Sequence, residues 1–138
     1  MATLKPTYSA QSADISNSSL NSLANGSVGT SSAVDNSTNL YQDFMIEVYI
    51  DGTAATNAFL EVRLAPSQDN TNFGTWESAI PLGVIDLSVD LQRATFSLLN
   101  SLFQAPKYFK IMVKNSTGAA LAASGSTVKY MGVQVQSV

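Results

Sequence analysis

The chain has 138 residues, enough for one domain around a single core, and only 12% of them are charged against 45% hydrophobic. It contains no cysteine and no histidine, which excludes thiol and imidazole catalysis, a Cys/His zinc site and a disulfide framework. The net charge is −3, and a surface that is polar but weakly charged suits packing into an assembly.

"MATLKPTYSA" lacks both a charged leader and an apolar run, and no run of about 18 apolar residues follows, so neither a secretion signal nor a membrane span is expected. Small polar residues then dominate. From Asp14 to Asn39 there is no proline and no basic residue, while Ile15, Leu20, Leu23, Val28 and Val34 recur as apolar anchors. That pattern differs from the charge-rich and proline-rich composition of permanent disorder. Residues 1–18 are expected to form an extended N-terminal arm ordered mainly by neighbouring subunits. Residues 19–35 are expected to add one or two strands to the edge of a domain spanning 19–138.

Period-two alternation starts after residue 39. In "LYQDFMIEVYID", Phe44, Ile46, Val48 and Ile50 share one face and Asp43, Glu47 and Tyr49 the other, which describes a half-buried strand. Asp51-Gly52 turns the chain. "FLEVRLAP" puts Leu60, Val62 and Leu64 inward and Glu61 and Arg63 outward, with Pro66 expected to end the strand. "LGVIDLSVDL" gives a strand with Ile85, Leu87 and Val89 on one face. The next segment also fits helical spacing, and is read as a strand over "RATFSL" and a helical turn over "NSLFQ", ended before Pro106.

"KYFKIMVKN" alternates most cleanly, with Phe109, Ile111 and Val113 opposing Lys110, Met112 and Lys114, and predicts a central strand with one wet face. In "STVKYMGVQVQSV" the apolar parity slips after Tyr130, which predicts a bulge near Gly132. Short strands joined by Gly- and Asn-rich turns predict an all-β fold, an antiparallel β-sandwich of jelly-roll type with the N-terminal arm appended.

Charge is unevenly spread. Residues 1–90 carry all ten acids and two bases, a net of −8, whereas residues 91–138 carry five bases and no acid. Two readings follow, complementarity between subunits or pairing of acidic early strands with basic late strands in one sheet, and the second is favoured.

Candidate chemistry is sparse. Asp43 and Glu47, like Asp86 and Asp90, are four apart on a strand face with no aromatic cleft, so exposed strand residues are favoured over a glycosidase pair. "DNTN" at Asp69 offers oxygen ligands without the Gly and Glu of an EF-hand loop, and is favoured as an Asx-type turn over a metal site. The sequons at Asn17, Asn25, Asn36 and Asn115 are the expected by-product of a chain rich in Ser and Asn. Lys107, Lys110 and Lys114 form a candidate basic contact face beside Tyr108 and Phe109, with a nucleic-acid partner disfavoured by the acidic net charge. Trp76 is a candidate ligand-stacking or packing aromatic, and a plug at one end of the sandwich is the favoured role. No catalytic, cofactor or metal residue is assigned.

Four stretches together suggest a family: "SLANGSVGTSSAVDNSTNLYQDFMIEVYI", "APSQDNTNFGTW", "APKYFKIMVKNSTGAAL" and "STVKYMGVQVQ". A Ser/Ala/Asn-rich lead-in closing on "AVDN", a Ser-x-Asp-x-Thr-like hairpin, a proline before an aromatic strand and a final "Y-x-G-V" core resemble small structural proteins in the virions of tailed bacteriophages. The resemblance covers about residues 19–136 and rests on turn and strand signatures, so it carries over no functional residue. It implies a non-enzymatic capsid decoration or cement protein on the outer surface of the shell. Its implied partners are itself, as a trimer or dimer, and the major capsid protein, with no nucleic acid or membrane. A tail or head-fibre component, or a carbohydrate-binding module using the surface near Trp76, is the alternative.

Overall fold

The computed structural model describes residues 3–102 and 104–137. The alternating segments become strands β1 Leu4–Tyr8, β2 Val28–Thr30, β3 Val34–Asp35, β4 Asp43–Asp51, β5 Phe59–Ser67, β6 Ile80–Asp86, β7 Leu91–Ser97, β8 Tyr108–Ser116 and β9 Thr127–Ser137. Two 3-10 turns, Trp76–Ser78 and Leu98–Asn100, interrupt them, and no α-helix occurs among the described residues. The second turn starts two residues before "NSLFQ", whose Phe103 lies outside the described residues.

Strand pairing is nested. β1 pairs with β9, β2 and β3 with β8, β4 with β7, and β5 with β6, all antiparallel. The first half of the chain therefore runs out along one side of a long hairpin, turns at β5 and β6, and returns along the other. Rolling this hairpin up adds β4 to β9 and β5 to β8. Two sheets result, β1-β9-β4-β7 and β2-β8-β5-β6, with β3 also on β8. This is the order of a jelly roll, the sandwich expected from the alternation.

The core lies where the two inner faces meet. Phe44, Ile46, Val48 and Ile50 of β4 face Leu60, Val62 and Leu64 of β5 and Phe109, Ile111 and Val113 of β8, all buried. Phe44 joins the two sheets at one end. Its ring stands edge-on to Phe109 at 5.0 Å, to Tyr41 at 5.5 Å and to Tyr130 at 5.7 Å, the arrangement that ring quadrupoles favour.

The polar N-terminal segment lies extended along the free edge of β9. The N–H groups of Ser9, Ser12 and Ile15 donate to the carbonyls of Gly132, Tyr130 and Val128. In return the N–H groups of those same β9 residues donate to Ser9 Oγ, Ser12 Oγ and Asp14 Oδ1. Side-chain oxygens thus complete a ladder that regular strand geometry would have made with carbonyls. Neighbouring subunits were expected to supply these partners; here the chain's own β9 supplies them. Beyond the arm, Leu20, Leu23 and Val34 enter the core, and β2 and β3 form the expected edge strands of the second sheet.

Several local expectations are corrected. Strand β5 continues through Pro66 to Ser67, because pairing with β6 ends at Leu64 and the proline sits where only β8 is alongside. Val89 is 60% exposed, since β6 ends at Asp86 and a bend follows. No bulge interrupts β9 at Gly132, where the pairing with β4 runs unbroken from Val133 to Thr127. The side chain missing at Gly132 is replaced by the Tyr41 ring, which occupies the space a Cβ would need. Asn36 holds that ring in place: its amide accepts from the Tyr41 N–H at 2.7 Å and donates to the Tyr41 carbonyl at 3.0 Å.

Gly132→Val is expected to cost about 1–3 kcal/mol through overpacking. Urea denaturation should show this cost combining less than additively with that of Tyr41→Ala, because both changes act on one space.

Candidate functional site

The alternation that buries one face of β5 and β8 turns Glu61, Arg63 and Ala65, and Lys110, Met112 and Lys114, to the other. Register sets these six in rows: Glu61 opposite Lys114, Arg63 opposite Met112, and Ala65 opposite Lys110. The expected wet face is not left to solvent. Residues 68–79 cross it, and Phe73 and Trp76 pack over buried Ala65, Ala79 and Met112 together with Val28.

Cations hold this cover down. The Arg63 guanidinium lies 4.2 Å from the centre of the Trp76 ring and donates from Nη1 to the Trp76 carbonyl at 2.8 Å. Its Nη2 sits 3.5 Å from Glu61, while Nε is buried against the ring without a hydrogen-bond partner. Lys110 Nζ lies 4.4 Å from the Phe73 ring, and Lys114 Nζ 5.9 Å from that of Trp76. Such contacts contribute on the order of 1 kcal/mol each when partly desolvated.

The start of the cover is fixed by Asp69. Its Oδ1 accepts from the N–H groups of Asn72 at 2.8 Å and Thr71 at 2.9 Å and from Ser67 Oγ at 3.0 Å, and Oδ2 accepts from Asn72 Nδ2 at 2.7 Å. Those donors, the Asn72 N–H foremost, hold its carboxyl far below the usual carboxylate range. "DNTN" is accordingly a self-satisfied Asx turn, with its oxygens already engaged. Among the described residues no group of three or more acidic, His or Cys side chains gathers to hold a metal ion.

Trp76, Lys110 and Lys114 are therefore brought together, and Trp76 lies over the outer face of a sheet, away from the sandwich ends. Lys107 stands apart. It is exposed just before β8, 5.5 Å from the Tyr108 ring, and lines a cleft of about 640 Å³ together with Pro66 and Pro106. Arg63 and Phe73 complete the cluster and were missed. Arg63 had been placed on the outer face, but its meeting with Trp76 depends on how a polar loop folds back.

Charge pairing follows the in-sheet reading. Glu61 lies opposite Lys114 and Glu47 opposite Lys129, and Arg93 Nε is 3.7 Å from Glu47. Asp43 does not act with Glu47: it is buried and accepts from the Phe44 N–H, Ser97 Oγ and the Leu99 N–H. Two of the sequon asparagines, Asn36 and Asn115, are buried and bonded to backbone, so they organise turns.

No protein-family model and no curated protein sequence matches the chain. Among solved structures it is similar to that of Desmodium yellow mottle tymovirus, at 15% identity over 99% of this chain and 88% of that one, with a TM-score of 0.44. The structure of tomato aspermy virus matches at 15% identity over 99% and 78%, TM-score 0.43. A family 35 carbohydrate-binding module from an environmental isolate matches at 12% over 86% and 74%, TM-score 0.42. Likenesses of this size assign neither a family nor a function.

Trp76→Ala is expected to cost about 1–3 kcal/mol in urea unfolding and to expose residues 68–79 to protease, with Arg63→Ala less than additive to it. Acid should weaken the fold through Asp69 and two further carboxyls. In Asp14, burial raises the pKa, but the N–H groups of Ser16 and Val128, the Ser16 hydroxyl and Lys129 outweigh it. In Asp35 the Ser37 hydroxyl and N–H lower it, helped by Lys107. All three lie below the ordinary 3.8 in the folded chain, so their stabilisation is complete above that value and is lost as pH falls through the lowered ones. Thermal unfolding against pH should show this decline, and Asp69→Asn should lower the midpoint at pH 7 while flattening the decline.

Proposed function

We propose that this chain is a structural subunit of a virion, and specifically a decoration or cement protein of a tailed bacteriophage. In this reading it self-associates and clamps neighbouring major capsid subunits from the outer surface of the shell. The observation that carries it is apolar surface left in solvent on both sheets. One outer face is crossed by the chain's own loop, yet Val84 at 60% and Phe59 at 37% stay exposed on it. The other keeps Leu4 at 69% and Tyr8 at 62% exposed.

A face of that kind suits contact with protein. Arms, loops and caps are secured by local hydrogen bonds, so little surface has to be ordered on association. The mechanism is mass action: a subunit that binds the assembled shell and not its separated parts stabilises the shell by the free energy of binding. A sugar-stacking role for Trp76 is disfavoured because the Arg63 guanidinium already lies on that ring.

Electron microscopy and protein quantification of purified parent particles test the proposal. Hundreds of copies distributed over the shell are expected, together with a lower disruption temperature in particles lacking the protein. A handful of copies, or copies confined to the tail, would overturn it.

A further inference from the structure

We infer that Asn25 is a site of spontaneous covalent modification, where its amide is lost through a succinimide and the main chain is lengthened beside the edge of the second sheet. The site belongs to the free chain and needs no partner.

Asn25-Gly26 is the chain's one Asn-Gly step, the pairing at which a backbone nitrogen attacks the preceding side-chain amide most readily, because glycine has no Cβ to obstruct the approach. The fold holds that glycine in place. The Ser27 N–H donates to the Ala24 carbonyl at 3.1 Å, and Gly26 stands in the resulting turn at φ +82°, where other residues are strained. Asn25 and Gly26 are exposed, and nothing lies within 4 Å of where a Cβ on Gly26 would be, so water reaches the step.

In the reaction the Gly26 nitrogen loses its proton and bonds to Asn25 Cγ, the Cγ–Nδ2 bond breaks, and ammonia leaves. Water then opens the succinimide ring. Opening at Cγ gives aspartate, whereas opening at the α-carbonyl gives isoaspartate, in which the main chain runs through Cβ and Cγ and is longer by one methylene. No oxidant or reductant takes part.

Both reacting groups are engaged in the folded chain. The Gly26 N–H donates to the Asn115 carbonyl at 2.6 Å, and Asn25 Oδ1 accepts from the Gly118 N–H at 2.9 Å. The nitrogen must leave its acceptor and the amide must turn before the two can meet, so the rate follows local opening of this turn.

Neighbouring bonds decide what the longer chain does. The Leu23 carbonyl accepts from Asn115 Nδ2 and from the Leu121 N–H, and the Ser27 carbonyl accepts from the Asn115 N–H. Only Ala24, Asn25 and Gly26 lie between these pins, in a tight turn with no slack for an added methylene. Isoaspartate there releases one pin or the other, and loosens the adjoining pairing of Val28, Gly29 and Thr30 with β8. Ordinary aspartate keeps the chain length, and its carboxylate still accepts from the Gly118 N–H.

Ageing the purified full chain in mildly alkaline buffer, with and without denaturing urea, tests this, read by peptide mass spectrometry that separates aspartate from isoaspartate. Asn25 should convert ahead of every other asparagine in both conditions. Its conversion should be about tenfold or more slower in the folded chain, where two hydrogen bonds must first break. The fraction carrying isoaspartate at position 25 should melt several degrees below fresh protein, whereas Asn25→Asp, which adds the charge without the extra methylene, should melt at the wild-type temperature. Equal rates with and without urea, an intact Asn25 while other asparagines convert, an unchanged melting temperature in the isoaspartate fraction, or Asn25→Asp melting as low as that fraction overturns the inference.

Discussion

Everything in this fold waits on β9. It is the last strand of the chain and the only one in its sheet flanked on one side by β4 and on the other by β1 and the polar N-terminal segment. Without it the arm has no ladder to complete, Phe44 loses the Tyr130 ring, and the space at Gly132 that receives Tyr41 does not exist. Pairing Leu4 with Ser137 closes nearly the whole chain into one loop. Such nonlocal pairing costs closure entropy before any contact offsets it, so a nested hairpin of this kind is expected to fold slowly and cooperatively.

The scarcity of charge and the way charge is used are two aspects of one design. Arg63, Lys110 and Lys114 hold aromatic rings over a sheet, Lys129 and Arg93 neighbour Glu47, and Asp14, Asp43 and Asp69 cap backbone N–H groups. Several charged groups are thus engaged within the chain, while Lys5, Glu77, Asp86, Asp90 and Lys107 stay exposed. With so few charges in all, much of the remaining surface is amide, hydroxyl and apolar, which costs less to desolvate than free charge when molecules pack side by side.

Where the alternation was strict, it was legible. The inner faces of β4, β5 and β8 follow directly from period two, because a half-buried strand has only one way to hide its apolar side chains. The same rule failed at Gly132 for an instructive reason. The parity slip in "KYMGVQV" looks like an inserted residue, yet the backbone keeps its register and the inner position is filled by Tyr41, ninety residues away in sequence. Val89 failed because a strand pattern ran past the end of its partner. Trp76 and the lysines were named as separate candidates, and their union depended on β5 and β8 being neighbours and on a loop lying back across both.

From the sequence alone came the class of fold, its single core, the turn residues and the lack of thiol and imidazole chemistry, since these depend on composition and on spacings within ten residues. Tertiary structure alone decided which strands are neighbours, which outer face is covered, and what the serines and Asp14 of the arm are for. Those outcomes depend on contacts between residues from about ten to more than a hundred positions apart, and period two records which side of a strand is hidden without recording what hides it.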